Sequence, residues 1–234
     1  MLGRQSELAR QRCASHVIER SFQKGERLLQ QGQQVAAFGI VKVGTVLMLR
    51  SGEDGVERPV GMFGAGQMLG ALSLLGQSAT LSCVALSPGR VCMVDIAPLH
   101  REGLVDQAFL IELVRGLAQT NARLSDWAHI MRIRSVAGQL AGTLLQLATL
   151  QKSTRVRLPS HTALAALLAT SRETIARTLA QLAQHGSLVR HDRWHCEIVR
   201  PALLDLSRGA PTQPTPPRTS GDGVDAQRWE SAAA

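Results

Sequence analysis

Leu110, Leu117, Leu124 and Met131 recur every seven residues, and Leu113, Thr120 and Trp127 fill the intermediate positions. Three successive repeats of this kind specify one long helix with a narrow apolar seam. From Leu104 to about Met131 such a helix runs roughly 40 Å at 1.5 Å per residue. A two-position seam is narrower than the stripe a helix uses to pack on a globular core, so it calls for a partner helix. The expected arrangement is two chains joined along this helix, with those seven residues at the dimer interface. The competing reading lays the helix across the β domain of its own chain.

The flanks of the ladder read differently from each other, and the fold class is α+β. Residues 17–98 hold short apolar runs, Gly39–Val43 and Thr45–Leu49 among them, broken at Gly44, at "SGEDG" (51–55) and at "GAG" (64–66). Closely spaced strands with such punctuation indicate a sandwich or barrel. After the ladder, Val136, Leu140, Leu144, Leu147 and Leu150 stand at helical spacing in "SVAGQLAGTLLQLATL" (135–150), and a small unit follows at 153–206. The tail contains "APTQPTPPRTSGDG", with four prolines in seven residues, and is expected to be disordered.

Within the small unit, "LPSHTALAALLATSRETIARTLAQLAQHG" (158–186) reads as two short helices and a tight turn. Ser160 is placed to cap the first, which carries Leu164, Leu167 and Leu168. The chain turns through Ala169 and Thr170, and alanine fits that turn if its φ is negative. Ser171 caps the second helix and Gly186 closes it. Ile175, Thr178, Leu179 and Leu182 share one side of this helix, while Arg172, Glu173, Ala176, Arg177 and Ala180 occupy the other. That pattern is a helix-turn-helix. An arginine fork matches guanine O6 and N7, and a glutamate accepts from the cytosine amino group, so Arg172, Glu173 and Arg177 are the candidate base readers. Ser160, Ser171 and Thr174 are candidate phosphate contacts, helped by free amides at the helix starts. The small Ala176 and Ala180 permit close approach to a groove. "SLVRHDRWHCEIVR" (187–200) reads as a hairpin turning near 191–193, a wing able to touch the DNA backbone.

Charge agrees with a polyanionic partner. The chain carries a net charge of +8, with a pI near 10.5. From Lys152 to Arg200 there are eight Lys or Arg against three Asp or Glu. No apolar run approaches the ~20 residues of a membrane span, and "MLGRQSELARQRC" lacks the apolar core of a signal peptide. Cys13, Cys83, Cys92 and Cys196 lie far apart with no C-x-x-C pair, which points to a reducing, cytoplasmic setting.

The order of these segments resembles the Crp/Fnr family of bacterial transcription regulators over roughly residues 17–205. "F-x-K-G-E-x-L-x-x-Q-G" at 22–32, followed by "FGIVKVGTVLMLR", is similar to the opening strands of the family's cyclic-nucleotide-binding-like β-roll. "SRETIAR" is the most specific match: Arg172, Glu173 and Arg177 fall where the cyclic-AMP receptor branch places its base readers, which implies a TGTGA-like half-site. Ala169 is a departure, since relatives often carry glycine there. The resemblance implies an N-terminal helix or arm at 1–16, a β-roll sensor domain at 17–101, a dimerisation helix at 102–134, a winged helix-turn-helix DNA-binding domain at 135–206 and a tail at 207–234. It also implies RNA polymerase as a partner.

The family's β-roll often holds cyclic AMP through a glutamate for the ribose and an arginine for the phosphate. Here Ala71 stands at the glutamate's place and Ser78–Thr80 at that of the Arg-Ser pair, giving Gly70, Ala71, Leu72, Ser78, Ala79 and Thr80 as the candidate effector pocket. Every residue from Pro59 to Gly89 is uncharged, so a buried phosphate would lack a countercharge. Cyclic AMP is therefore not expected to be a tight effector, and the effector is left unnamed. An iron–sulfur cluster needs thiolates gathered near the N-terminus, where only Cys13 lies. Haem on His16, Cys83 or His100, or a thiol switch, stays open as an alternative within the same family. "HDRWHC" offers His191, His195 and Cys196 to a metal, against the plainer reading of a solvent-facing hairpin. "GAGQMLG" (64–70) has its third glycine one residue late for a dinucleotide fingerprint and reads as a turn.

Two other classes compete with the regulator reading. A cupin-type metal enzyme needs histidines on adjacent strands, and there is none from Val17 to Leu99. A protein-binding module is disfavoured by the charge balance. The expected protein is a homodimeric, sequence-specific regulator that binds double-stranded DNA at a palindrome, without membrane attachment or catalytic residues.

Overall fold

The structure is a computed structural model and describes residues 15–208. The expected N-terminal arm and tail lie outside the described residues, apart from a few at their inner ends. Eight strands build the first unit: β1 (Val17–Phe22), β2 (Arg27–Leu29), β3 (Ala37–Val43), β4 (Val46–Ser51), β5 (Glu57–Phe63), β6 (Met68–Leu69), β7 (Ser82–Ala85) and β8 (Gly89–Asp95). They form two antiparallel four-stranded sheets, ordered β1-β8-β3-β6 and β2-β7-β4-β5. Gly44 turns the chain between β3 and β4 at φ +110°, a conformation that a Cβ would disfavour. Pro59, which cannot donate to a ladder, falls at a bulge of the edge strand β5 opposite Leu49. One apolar cluster draws on all eight strands, including Phe22, Val41, Met48, Phe63, Cys83 and Val91. The two sheets therefore close on a filled interior.

Two helical pieces interrupt the region that reads as strands alone. A 3-10 helix spans Ala71–Leu75, and α1 covers Ile96–Arg101. Both are too short for a period of 3.6 to show in sequence. Together they cap one end of the roll, where Phe38, Met68, Leu74, Val94, Leu99 and Phe109 form a second cluster. Phe38 and Phe109 meet edge to face, 6.3 Å between centroids.

The long helix α2 spans Gln107–Arg132, with the Asp106 carboxylate accepting from the Phe109 N–H at 2.7 Å. Its apolar residues divide between two directions, and this corrects the expected seam. Leu113 and Trp127 are only 6% and 5% exposed and pack into the chain's own cores. Leu124 and Met131 pack, partly buried, against the same chain, and Thr120 bonds back to the Gly116 carbonyl. Leu110 and Leu117 stand outside at 44% and 37%, joined by Ile111 and Val114 rather than by Leu113. The outer stripe runs 110, 114, 117, so the seven-residue repeat combined an outward row with an inward one. A leucine at an intermediate heptad position looks the same in sequence whichever core it enters.

The C-terminal unit contains α3 (Val136–Gln151), β9 (Arg155–Arg157), α4 (His161–Leu167), α5 (Arg172–Gln184), β10 (Leu188–Arg190), β11 (His195–Ile198) and α6 (Arg200–Ser207). Strand order β10-β11-β9 adds a third strand to the expected hairpin. β9 has one buried residue, Val156, between two exposed arginines, too little alternation to read. A single core joins this unit to α2 and the roll: Leu47, Met62, Trp127, Ile130, Leu140, Leu144, Ile175 and Leu203 belong to one cluster. Gly142 lets α3 lie close to α2, since a Cβ there would stand 2.8 Å from the Ile130 side chain. The C-terminal unit is thus packed on the roll through the end of the long helix.

Candidate nucleic-acid interface

The first helix of the pair, α4, starts at Ser160, whose hydroxyl accepts from the Ala163 N–H at 3.2 Å. Leu164, Leu167 and Leu168 are buried, as their spacing requires. The helix ends in a Schellman turn: the Thr170 N–H donates to the Ala165 carbonyl at 2.9 Å and the Ala169 N–H to that of Ala166 at 3.4 Å. This geometry demands a left-handed residue, and Ala169 takes it at φ +49°. The expectation of a negative φ is therefore wrong. The capping bonds fix the backbone, and alanine bears the steric cost that a glycine would avoid.

Ser171 then caps α5, accepting from the Thr174 N–H at 3.1 Å, with the two hydroxyl oxygens 3.0 Å apart. Ile175, Thr178, Leu179 and Leu182 are buried beneath the helix, and the Thr178 hydroxyl donates to the Thr174 carbonyl at 2.7 Å. On the opposite face Arg172, Glu173, Arg177 and Ala180 are exposed and Ala176 is half-buried. Neither arginine nor the glutamate makes an ion pair with any described residue. Gly186, at φ +69°, carries the chain out of the helix. The three candidate phosphate hydroxyls, Ser160, Ser171 and Thr174, all sit at helix starts. Ser160 caps by accepting, which leaves its own proton for an incoming phosphate oxygen, while Ser171 and Thr174 use one hydroxyl proton between them and keep the other free.

Two cations, Arg190 and Arg193, and the imidazole of His161 stand beside this helix, and sequence reading did not single them out. His161, the first residue of α4, is held below its ordinary pKa by burial and by the charges of Arg190, Arg172 and Arg193. Arg190 ends β10 and Arg193 sits in the wing turn, so these two elements and α5 converge on one positive patch. Their separation in sequence, 161 to 193, hides the convergence. In the wing, the Asp192 carboxylate accepts from the Trp194 N–H at 2.5 Å, pairs with the His195 ring and accepts from the His195 N–H at 2.8 Å, which together hold the carboxyl down at about 2. Trp194 lies between two cations, with Lys24 of the β1–β2 turn and Arg193 each 4.9 Å from its ring centroid. The wing tip thereby touches the roll.

Of the other candidate ligands, Cys83 and Cys196 are buried, His16, His191 and His195 are paired with carboxylates, and His100 is exposed. Cys196 is fully buried in the core, its thiol pushed up to about 11, while His191 and His195 engage Glu197 and Asp192. Cys83 is inside the roll with its thiol pushed up to about 12 by burial, and His16 pairs with Glu102 at 2.8 Å. Of the six expected effector residues, Ala71 lies in the cluster at the end of the roll, Ala79 in the interior cluster, and Gly70 opens the 3-10 helix at φ +72°. "GAG" at 64–66 is the turn between β5 and β6. Among the described residues no helix is long and apolar enough to cross a membrane.

Comparison with known proteins gives two family matches: the cyclic nucleotide-binding domain at residues 19–101, and the Crp-like helix-turn-helix domain at 138–206. A cyclic AMP receptor protein of Thermus thermophilus is 28% identical over 196 residues, covering 82% of this chain and 88% of that protein. A CRP-like cAMP-activated global transcriptional regulator of Mycobacterium tuberculosis is 28% identical over 177 residues, covering 70% and 77%. Among solved structures, FixK2 from Bradyrhizobium japonicum aligns at TM-score 0.70 and 22% identity, covering 81% and 96%. A CRP-family transcriptional regulator from Thermus thermophilus aligns at 0.65 and 19%, covering 84% and 100%. At such identities the structural likeness speaks for the fold.

Proposed function

From the premise that the chain belongs to the Crp/Fnr family of DNA-binding transcription regulators, we propose that it acts as a homodimer that reads a palindrome through Arg172, Glu173 and Arg177. The observation that carries this reading is the state of those three side chains. They are exposed, unpaired among the described residues, and presented by a helix whose other face is buried. Two such helices fit successive major grooves about 34 Å apart. Arginine on guanine and glutamate on cytosine agree with a TGTGA-like half-site. Ser160, Ser171 and Thr174, with His161, Arg190 and Arg193, hold the backbone.

The dimer forms along the outer stripe of α2, where Leu110, Ile111, Val114 and Leu117 would otherwise face water. RNA polymerase as a partner and a cytoplasmic setting follow from family membership. The β-roll biases the dimer between a competent and an incompetent arrangement of its reading helices, to the extent that an effector binds one more tightly. Cyclic AMP, named for two of the relatives, is a poor candidate for this role. The roll interior is an apolar cluster, and residues 59–89 supply no charge to a phosphate.

The test is selection of duplexes from a randomised pool by the purified protein. The expected product is a palindrome with TGTGA-like arms, and affinity falls steeply with salt. Arg172→Ala should cost ~1–3 kcal/mol and relax preference at one base pair per arm. An unchanged selected sequence with Arg172→Ala would refute its role. Micromolar binding of cyclic AMP that tightens duplex binding would refute the effector reading.

A further inference from the structure

Two cavities of about 430 and 420 Å³ lie side by side between the roll, the long helix and the C-terminal unit. They share Lys42, Ala65 and Lys152. Each is within the range of about 300–1,000 Å³ usual for small-ligand sites. The first is completed by Ile40 and Met68 of the roll and by Arg115 and Gln119 of α2; the second by Pro88, Leu150 and Arg157. We propose that this double cleft binds a small phosphorylated molecule, its phosphates at Lys42 and Lys152 and its body against the apolar walls.

Charge is the first support. Lys42, Arg115, Lys152 and Arg157 line the two cavities against a single carboxylate, Glu112, which is already paired with Arg115. Lys42, Lys152 and Arg157 make no ion pair with any described residue. Three uncompensated cations around a concave surface attract an anion and hold several of its oxygens.

The backbone at Lys152 is the second and independent support. This residue caps α3 in the left-handed region at φ +52°, with the Ser153 N–H donating to the Ala148 carbonyl at 3.1 Å. Glycine or asparagine fills such a cap at less cost. Lysine there is strained, and it is one of three residues that line both cavities. Arg157 is fixed from the same helix end: the Gln151 side-chain amide donates to the Arg157 carbonyl at 2.9 Å and accepts from its N–H at 2.8 Å. The end of one helix thus fixes two of the cleft's cations, Lys152 and Arg157, while Lys42 comes from the roll.

Position gives the site its consequence. Glu112, Gly116 and Gln119 lie on the side of α2 opposite Leu110, Val114 and Leu117, so a partner helix on the apolar stripe does not cover the cleft. A ligand here touches the roll, the long helix and the start of the reading unit together. The site itself does not depend on the DNA reading, and its test uses no DNA.

The experiment is calorimetric titration of the full chain with ADP, pyrophosphate and adenosine, alongside Lys42→Gln and Lys152→Gly. ADP is expected to bind once per chain at submillimolar concentration, pyrophosphate more weakly, and adenosine not at all. Lys152→Gly removes the ammonium and also relieves the left-handed strain. It should lower ADP affinity about tenfold while the melting temperature holds or rises, so unfolding cannot explain the loss. Lys42→Gln should lower affinity by a similar factor. Absence of saturable binding by ADP and pyrophosphate at millimolar concentration overturns the proposal. So does ADP binding that both variants leave within twofold of the parent, because the ligand then sits elsewhere.

Discussion

Ala169→Gly tests the turn on which the reading helix depends, because the sign of its effect follows from one dihedral angle. At φ +49° the alanine Cβ crowds its own carbonyl, a cost of roughly 1–2 kcal/mol for an L-residue in this region. Glycine escapes that cost but gives the unfolded chain more freedom, which takes back about 0.4–1 kcal/mol. The net expected change is a gain of about 0.5 kcal/mol. For a chain of this size that corresponds to a rise of about 1–2 °C in Tm. Urea unfolding followed by far-ultraviolet circular dichroism would measure the gain as a higher midpoint at unchanged slope. A negative φ would reverse the sign, since glycine would then bring only its entropy. Ala169→Val supplies the opposite arm, because a β-branched residue fits this conformation worse than alanine and should lower the midpoint. Destabilisation by Ala169→Gly, or a neutral Ala169→Val, would refute the left-handed turn. The duplex sequence selected should be the same for all three proteins, because Arg172 and its neighbours are capped separately by Ser171.

The divided surface of α2 makes paired mutations informative. Leu117→Asp should give a folded monomer in sedimentation, whereas Trp127→Ala should lose about 3–5 kcal/mol of subunit stability by emptying a packed site. His161, held below its ordinary pKa in the folded chain, binds fewer protons there than when unfolded. Its contribution to stability is therefore present above about pH 6.5 and declines as pH falls through that value, a slope that His161→Gln should flatten in denaturation at pH 5–7.5. Cys83 and Cys196, with thiols raised to about 12 and 11, should resist iodoacetamide at pH 8 in the folded protein and react once it is unfolded, as peptide mapping would report.

The relatives sharpen the question of the effector. Two proteins named for cyclic AMP align with most of this chain, and the family's nucleotide-binding domain matches residues 19–101. Yet the fold of a nucleotide domain does not carry its ligand. Residues 59–89, which include Ala71 and Ser78–Thr80, carry no charge, and the roll interior is an apolar cluster. The cationic cleft at Lys42 and Lys152 lies outside that interior.

What could be read directly from sequence was local. Turn residues and short apolar runs announced a sandwich or barrel, and the resemblance supplied the roll. The serine caps, the leucine spacing and the closing glycine delimited both helices of the reading pair. Arg172, Glu173 and Arg177 were recognisable because a helical wheel depends only on about 100° per residue. Tertiary structure decided the rest. It chose which leucines of the long helix face inward, because a heptad position records periodicity and not the identity of the neighbouring core. It gave Ala169 its positive φ, which the capping bonds impose and the residue type opposes. It gathered His161, Arg190 and Arg193 beside Arg172, and Lys42 beside Lys152. Such encounters join residues far apart in the chain, and only the packing of one unit on another creates them.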